Sequence, residues 1–368
     1  MAFTKYQIFL STVMVATGTI NLLANEWTNR LEAVGSDGTR RKFDHPFVQT
    51  VFMFGGEMLC FLAFKLLVVF YRRRQIFAED ADLIRGNRNF NPFILFPAAL
   101  CDMTATSLMY IGLVLTTAPS FQMLRGSVIV FVALLSTAFV GRRIEKHHWA
   151  GILFVVIGLA VVGFSDYSEK SKDHSSRDMI FGDMLVVMAQ IITACQMVYE
   201  EKYVVDKDIP PLQAVGWEGT FGFLTLSFLL IPFYFIKVGK PFANNPHEAL
   251  EDLPDAIAQI KNNPIIGCAL VGTMISIAFL NFSGISMTKE VSATARMVLD
   301  SVRTFFIWII CLMLKWQDFH PLQLLGFGVL LLGMIIYYQI ISFGGIFARV
   351  ETARPEDEEI ISQPADQP

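Results

Sequence analysis

Ten stretches of the sequence are apolar for the length of a membrane-spanning helix, and this repetition constrains the fold most. Crossing roughly 30 Å of hydrocarbon takes about 20 mostly apolar helical residues, and a helix satisfies its own backbone polar groups inside lipid. The stretches lie near residues 4–24, 46–71, 92–115, 118–140, 147–164, 180–200, 212–236, 264–286, 291–314 and 320–342. The sequence therefore predicts an all-α membrane protein with ten transmembrane helices.

The composition agrees with this class and excludes several others. Hydrophobic residues make up 54% of the 368 residues and charged residues only 17%, a balance typical of lipid-embedded chains. Ten spans leave no room for a sizeable soluble domain. No basic tract with interleaved aromatic residues indicates a nucleic-acid partner, so the lipid bilayer is the expected surrounding.

The sequence carries no enzyme signature. It has no phosphate-binding glycine-rich loop, no HExxH and no Ser or Cys nucleophile with an identifiable base. The five cysteines are widely separated within predicted spans, and the six histidines lie in connections or at span ends, so neither set forms a metal-ligand or disulfide pattern. We expect no enzymatic activity, no cofactor and no metal.

Two internal similarities indicate a duplicated five-helix unit. Met123–Phe131 (MLRGSVIVF) aligns with Met297–Phe305 (MVLDSVRTF), which pairs the fourth span with the ninth. After a one-residue shift, four glycines pair the fifth span with the tenth, and they are Gly151 with Gly326 and Gly158 with Gly333. Because five is odd, the halves would insert with opposite polarity, as in many secondary transporters. The alternative is chance similarity between Leu-rich spans, and the glycines alone favour close helix packing.

The repeat defines the predicted domain organisation. Residues 1–165 form the first five-helix repeat, 166–179 a lumenal linker, 180–342 the second repeat and 343–368 a disordered acidic cytosolic tail. An even number of spans places both termini on one side. The basic runs at 72–74 and 142–143 follow the second and fourth spans, so that side is predicted to be the cytosol.

Ionisable residues inside predicted spans are candidates for function, because they are costly unless paired or facing a wet cavity. In the ninth span, Arg296, Asp300 and Arg303 stand at i, i+4 and i+7 and share one helical face, which Thr304 adjoins. This basic stripe, with the carboxylate reducing repulsion between its arginines, suits an anionic substrate group.

The fourth span carries Gln122 and Arg125, three residues apart. A guanidinium is planar, always charged and able to bind phosphate or carboxylate through two hydrogen bonds, so Arg125 is a second candidate for binding an anion. The alternative is an ion pair with Glu57 or Asp102. Either carboxylate could instead carry a proton coupled to transport, although pairing is favoured.

Three further polar residues lie in predicted spans. Gln190 and Thr193 are three residues apart in the sixth span, and Asn281 lies in the eighth. They could hydrogen-bond a ribose or base, and hydrogen bonding between helices is an equally favoured role.

The acidic tail contains a candidate sorting signal. Glu356 precedes Ile360 and Ile361 by four residues, which resembles the dileucine-type signal that adaptor complexes read when sorting cargo to endosomes and lysosomes. The alternative is a merely solvated tail.

Several blocks resemble solute carrier family 35 of the drug/metabolite transporter superfamily, which is related to nucleotide-sugar transporters. The resemblance covers roughly residues 4–342, and its blocks are KYQIFLSTVMVATGTINLLANEW, PAALCDMTATSLMY, SFQMLRGSVIVF, MAQIITACQMVYEEKYV and KEVSATARMVLDSVRT. It implies a ten-helix inverted-repeat fold, a central cavity reached alternately from each side, and a lysosomal or endosomal membrane in preference to a Golgi or mitochondrial one.

The resemblance also implies roles for residues. In the family, positive side chains on the fourth and ninth helices meet substrate phosphates, and Arg125 and Arg303 occupy comparable helices. The Phe-Tyr-Asn-Asn and Gly-Ala-Leu-Asn-Lys blocks of GDP-sugar carriers are missing. We therefore expect a secondary transporter of a small organic anion, nucleotide-like or a related metabolite. The alternative is a non-transporting protein that binds other membrane proteins and affects organelle integrity or cell survival.

Overall fold

Long helices dominate the computed structural model, which describes residues 4–74, 85–116, 120–121, 124–141, 146–168, 176–239, 242–243, 245–314 and 321–337. In chain order the described helices are α1 (Lys5–Arg30), α2 (Pro46–Arg73), α3 (Phe96–Leu115), α4 (Val128–Val140), α5 (Lys146–Ser168), α6 (Ser176–Asp206), α7 (Pro211–Phe235), α8 (Leu253–Asn262), α9 (Pro264–Glu290), α10 (Ala293–Met313) and α11 (Pro321–Tyr337). Short 3-10 turns, Pro92–Leu95 and Arg125–Ser127, lead into α3 and α4.

Each of the ten predicted spans overlaps a described helix, and α8 lies outside them. In the described part of the chain, six helical segments are long and apolar enough to cross a membrane, and they are Lys5–Arg30, Pro46–Arg73, Pro92–Leu115, Arg177–Asp206, Pro211–Phe235 and Pro264–Glu290. Large apolar side chains such as Phe228 and Phe235, both more than 70% exposed, cover their outer surface. Exposure of this kind suits lipid, so the chain is a multi-pass membrane protein.

Helix starts follow local sequence signals. Prolines occupy the first position of α2, α7, α9 and α11, where the missing N–H costs nothing. Thr4 and Gln7 form a reciprocal capping box at the start of α1, and the Asn263 side chain accepts from the Ile265 backbone N–H at the start of α9. The four prolines therefore mark the starts of these helices.

The helices pack in a regular set of pairs. α2 lies along α7, α5 along α11, α3 along α6 and α1 along α9. Smaller contacts join α4 to α6 and α1 to α10. Because α1, α2, α3, α6, α9 and α10 surround a common space, polar side chains on their inner faces meet at the centre.

Glycines let α5 and α11 approach at two points. A Cβ atom on Gly158 would lie 2.7 Å from the carbonyl oxygen of Gly326, and one on Gly333 would lie 2.7 Å from that of Gly151. Both distances are too short for any side chain, so these positions need glycine. The packing role predicted for the four glycines is confirmed.

A small extramembrane cap covers one end of the bundle. Strands β1 (Glu32–Val34) and β2 (Arg40–Lys42) form an antiparallel hairpin with Ala33 opposite Arg41. The amides of Asn262 and Asn263, at the end of α8, donate to backbone carbonyls of β1 at 2.7 and 3.1 Å. The hairpin and α8 therefore form one unit, which the sequence analysis did not predict.

His45 joins this cap to the start of α2. Its ring nitrogens lie 2.7 Å from Glu251 Oε1 and 3.2 Å from Asp255 Oδ2, and the Phe47 backbone N–H donates to Glu251. Burial alone would lower the pKa of His45, but the hydrogen bonds with Asp255 and Glu251 outweigh burial and raise that pKa to about 9. The imidazolium is thus a fixed positive charge within the cap.

The interval between the two predicted repeats is shorter than residues 166–179, since α5 extends to Ser168 and α6 begins at Ser176. The predicted acidic tail, residues 343–368, lies outside the described residues, and with it the candidate sorting signal of Glu356, Ile360 and Ile361. That signal, like the lysosomal or endosomal location, stays a prediction.

Candidate functional site

The inner faces of the helices enclose a cavity of about 360 Å³, a size typical of small-molecule sites. At one end its lining includes Glu26 and Asn29 in the last turns of α1, and Asp44 before α2. These residues lie beside the hairpin, and Asn29 is exposed, so the cavity opens there. At the opposite end the lining reaches Arg296, near the start of α10.

Arg125 supplies a positive charge that no carboxylate of the described residues neutralises by an ion pair. Its half-buried side chain lines the cavity from the 3-10 turn before α4, with the guanidinium 6.0 Å from the centroid of the Phe121 ring. Arg303 and Asp300 lie within its electrostatic reach. Even a half-buried guanidinium inside a membrane protein is costly without a counter-ion, and a bound anion would relieve that cost.

Arg303 and Asp300 lie near Arg125 and form, together with it, a basic part of the cavity. The Arg303 Nη2 lies 2.6 Å from Asp300 Oδ1, and Arg303 is only 5% exposed. Its Nε is buried without a hydrogen-bond partner. A Cβ on Gly18 would lie 2.9 Å from Arg303 Nη1, so α1 leaves room for the guanidinium. Arg125 and Arg303 together carry two positive charges, and Asp300 carries one negative charge. These three residues therefore give this part of the cavity a net positive charge.

Arg296 belongs to a different electrostatic environment. Its Nη1 lies 2.6 Å from Glu200 Oε2, and the pair is almost fully buried. The Gln196 amide donates to the other carboxylate oxygen at 2.8 Å. Arg296 is thus already neutralised, which corrects the expectation that the whole stripe on α10 acts as one anion-binding surface.

Three further carboxylates surround the Arg296–Glu200 pair. Glu57 accepts a hydrogen bond from the Asn281 amide at 2.5 Å, and Asp102 accepts one from Thr106. The Oε1 of Glu218 is buried and has no hydrogen-bond partner. We call Glu57, Asp102, Glu200 and Glu218 the acidic cluster.

Ion pairing of Arg125 with Glu57 or Asp102, the predicted alternative to anion binding by Arg125, is not found among the described residues. The reason is distance along the bundle. Arg296, which the acidic cluster surrounds, and Arg303, which lies near Arg125, are seven residues apart on α10. This separation corresponds to about 10 Å of helical rise. The cavity therefore has a basic part and a separate acidic part.

Comparison with known sequences identifies the family. A sequence model of solute carrier family 35 matches residues 39–233. Human solute carrier family 35 member F6 is 48% identical over 361 residues, which cover 98% of this chain and 95% of the relative. The rat protein of the same name is 50% identical over 339 residues, covering 92% and 90%. The chain belongs to solute carrier family 35.

Two more distant matches are a transporter sequence and a solved structure. The chloroquine resistance transporter of Toxoplasma gondii is 29% identical over 131 residues, 36% of this solute carrier and 14% of that protein. A solved crystal structure superposes with a TM-score of 0.54 at 12% sequence identity, covering 92% of this chain and 98% of the other. The first match is to a transporter, and the second shows a shared fold. The family resemblance predicted from sequence is confirmed.

The remaining predicted residues of this solute carrier line the same cavity where they are described. Gln190 is buried, and its amide approaches the Met109 sulfur at 3.4 Å. Thr193 donates to the Ala189 carbonyl at 3.0 Å. Asn281 joins α9 to α2 by donating to Glu57, which is the predicted hydrogen bonding between helices. It also lines the cavity, and hydrogen bonding to a ribose or base stays a prediction. Gln122 and the Thr304 side chain lie outside the described part of the chain.

A polar stripe on the first helix was not predicted from the sequence. Asn21, Asn25 and Asn29 all line the cavity. Asn21 donates to the Thr273 carbonyl and to Ser276 Oγ, both at 3.1 Å. Their spacing of four residues places three amides on one helical face, and this periodicity within an apolar span was the signal that could have found them.

Proposed function

We propose that this solute carrier is a secondary transporter of a small organic anion, nucleotide-like or a related metabolite, working by alternating access. The observation that carries the proposal is the Arg125 guanidinium, which lines a cavity open at one end and has no ion-pair partner among the described residues. In alternating access the binding site is open to one side of the membrane at a time. A cavity with one open end and one closed end fits one of these two states.

The chemistry of the cavity supports an organic anion. Arg125 and Arg303 can bind phosphate or carboxylate oxygens, since a guanidinium offers parallel donors. Five methionines line the same space, and they are Met14, Met53, Met109, Met197 and Met297. Thioethers are polarizable and pack well against aromatic rings. The preferred substrate therefore has an anionic group and a planar or apolar body.

We infer that the ten helices α1–α7 and α9–α11 span the membrane as two inverted five-helix repeats, residues 1–165 and 180–342. Exchanging each helix with its equivalent in the other half converts the α3–α6 pair into α9–α1, and α4–α6 into α10–α1. The α2–α7 and α5–α11 pairs each map onto themselves. A packing pattern that survives this exchange supports a pseudo-two-fold axis in the membrane plane.

Alternating access then requires the closed end of the cavity to open. The Arg296–Glu200 ion pair links α10 to α6 at that end, and it would have to separate while the hairpin end closes. With both termini in the cytosol, as the basic loops predict, the cavity opens to the lumen. The lumenal solute would enter past Asn29 and reach Arg125.

The proposal is tested by ligand-dependent thermal unfolding of the purified protein. The probes are a nucleoside monophosphate, a dicarboxylate and an aromatic sulfonate, each beside its neutral analogue. We expect one or more anions to raise the unfolding temperature of the wild type, since ligands that bind only the folded state stabilise it. In Arg125→Gln the affinity should fall about tenfold or more, because a charge-assisted hydrogen bond contributes about 1.5–3 kcal/mol.

The matched control is Arg40→Gln, which removes an exposed arginine of the hairpin. It should bind the same anion with unchanged affinity. Equal stabilisation of wild type and Arg125→Gln would remove Arg125 from the site. Proteoliposomes complete the test, since an anion that binds should also show saturable uptake, and binding without uptake would favour a protein that does not transport.

A further inference from the structure

Four helices place a carboxylate in the acidic cluster. Glu57 comes from α2, Asp102 from α3, Glu200 from α6 and Glu218 from α7. Each of Glu57 and Glu218 lies within electrostatic reach of the other members and of Arg296. Glu57, Glu200 and Glu218 are all less than 7% exposed, so the cluster is a buried site built from distant parts of the chain.

The positive charge in this region is too small for four carboxylates. Arg296 is the cation within reach among the described residues, and Glu200 already binds it at 2.6 Å. Three carboxylates therefore remain without a counter-ion. Burying even one ionised carboxylate without a partner costs several kcal/mol, and such a group takes up a proton instead.

Glu218 gives an independent indication that something binds here. It is 6% exposed, and its Oε1 has no hydrogen-bond partner. A buried carboxylate oxygen without a hydrogen-bond donor is rare. Protonation of the carboxyl group removes its negative charge, and the missing hydrogen bond then costs less. Gly219 beside it packs directly against the α2 backbone at Glu57 and Met58, so water has little room there.

The other groups that face the cluster do not supply positive charge. Cys60 lies near Glu57, and Cys101 lies near Asp102 and Glu200. Asn281 donates an amide hydrogen to Glu57, and Thr106 donates to Asp102. Each of these two hydrogen bonds stabilises the ionised form of one carboxylate but adds no positive charge. The cluster therefore keeps an excess of negative charge.

We propose that the acidic cluster is a proton-binding site, in which Glu218 holds one proton and Glu57 and Asp102 exchange another with the cavity. Glu57 and Asp102 line the cavity, whereas Glu218 and Glu200 lie behind them. The reaction is protonation alone, in which a carboxylate oxygen gains H⁺ to form a neutral carboxyl group, and no other bond changes.

Proton binding and anion binding would then favour each other. Each proton removes a negative charge from the space in which Arg125 attracts the solute, so the potential at the solute becomes more positive. An anion would be carried together with protons in the same direction. This coupling rests on the proposed function, but proton binding by the cluster does not.

The first test uses the wild-type protein in liposomes and the reagent dicyclohexylcarbodiimide, which enters apolar sites and modifies protonated carboxyl groups. Mass spectrometry of peptides locates the modified residues. We expect modification of Glu218 and of Glu57 or Asp102 at low pH, with loss of labelling as the pH rises and the carboxyl groups lose their protons. Glu290, exposed at the end of α9, should stay unmodified.

The second test observes the protons directly. The infrared C=O stretching band of protonated carboxyl groups should be present in the wild type at neutral pH. It should lose intensity in Glu218→Gln and in Glu57→Gln and be unchanged in Glu290→Gln. Because the labelling needs only the wild type, a variant that fails to fold does not remove the test.

Two results would overturn the proposal. One is wild-type protein without labelling of the cluster at any pH and without a protonated-carboxyl band. The other is stabilisation by sodium ions of a fully ionised cluster, which would make the site a metal-cation site. Neither measurement contains an organic anion, so they can fail while the anion screen succeeds, and the reverse also holds.

Discussion

Arg296 shows how a single residue can hold a buried charge cluster together. Its guanidinium is the cation that the acidic cluster surrounds, and its bond to Glu200 is almost completely shielded from water. Replacing Arg296 by Gln should lower the free energy of unfolding by about 3–5 kcal/mol, because an ion pair that loses one partner leaves an uncompensated buried charge. Thermal unfolding of the purified protein in detergent measures the loss.

An exposed arginine provides the comparison. Arg30 pairs with Glu26 at 2.8 Å, but both side chains are at least one-third exposed, and such pairs contribute less than about 1 kcal/mol. Arg30→Gln should therefore have little effect. The double variant Arg296→Gln/Glu200→Gln should recover part of the stability, since it removes both charges. A double variant as unstable as Arg296→Gln alone would argue against the pair as the cause.

The sequence predicted which residues reach the cavity better than it predicted their partners. Helical spacing places Arg296, Asp300 and Arg303 on one face, and all three line the cavity. Spacing along one helix contains no information about the side chains that neighbouring helices contribute. The pairing of Arg296 with Glu200, 96 residues away, depends on how α6 and α10 pack, and so the stripe was predicted as one unit and found as two.

Among the elements, the extramembrane cap should have a stability that depends on pH, because of His45. The pKa of His45 is about 9 in the folded protein against an ordinary 6.5. A raised pKa means that protonation stabilises the fold, and the contribution is complete below about pH 6.5 and lost as the pH rises through about 9. The difference corresponds to about 3 kcal/mol. The unfolding temperature should therefore decrease as the pH rises from about 6.5 to about 9.

A His45→Gln variant removes the titrating group. It should unfold at a lower temperature than the wild type at neutral pH and should lose most of the decline between neutral pH and about pH 9. His247 offers a matched control, because its ring contacts Asp252 at 2.6 Å but is half exposed. His247→Gln should keep the wild-type profile. An unchanged profile in His45→Gln would exclude His45 as the titrating group.

The elements that sequence predicted and missed differ in what stabilises them. An apolar window of 20 residues identifies a helix because lipid burial and helical length act over the whole window. The hairpin strands have three residues each, too few for an alternating pattern, and α8 has ten. Both depend on contacts between distant segments, such as the bond from Arg41 to Asp255 at 2.6 Å. Such contacts do not appear in a hydropathy window.

For the whole molecule, the proposed duplication of the sequence would account for the two-fold pattern of helix contacts. The alignment of Gly151 and Gly158 with Gly326 and Gly333 predicted equivalent helices but not that they would touch. In the structure Gly158 faces Gly326 and Gly333 faces Gly151, and exchange of the halves converts one contact into the other. The distance from the Cβ position of Gly158 or Gly333 to the facing carbonyl oxygen is 2.7 Å in both contacts. A glycine pattern that alone indicates only packing therefore supports the proposed relation between the two halves of the chain.

The proposed two-fold relation predicts paired mutational effects. Gly158→Leu and Gly333→Leu each place a side chain against the backbone of the facing helix, and each should lower the free energy of unfolding by about 1–3 kcal/mol, the cost typical of overpacking. Gly328→Leu is the control, because Gly328 lies on α11 with open space around its Cβ position. Thermal unfolding in detergent should show similar losses for the first two variants and a small change for the third. Similar losses would indicate that both contacts are equally tight, as a pseudo-two-fold axis requires. A loss confined to one variant would show that the α5–α11 contact is asymmetric and would weaken the inverted-repeat proposal.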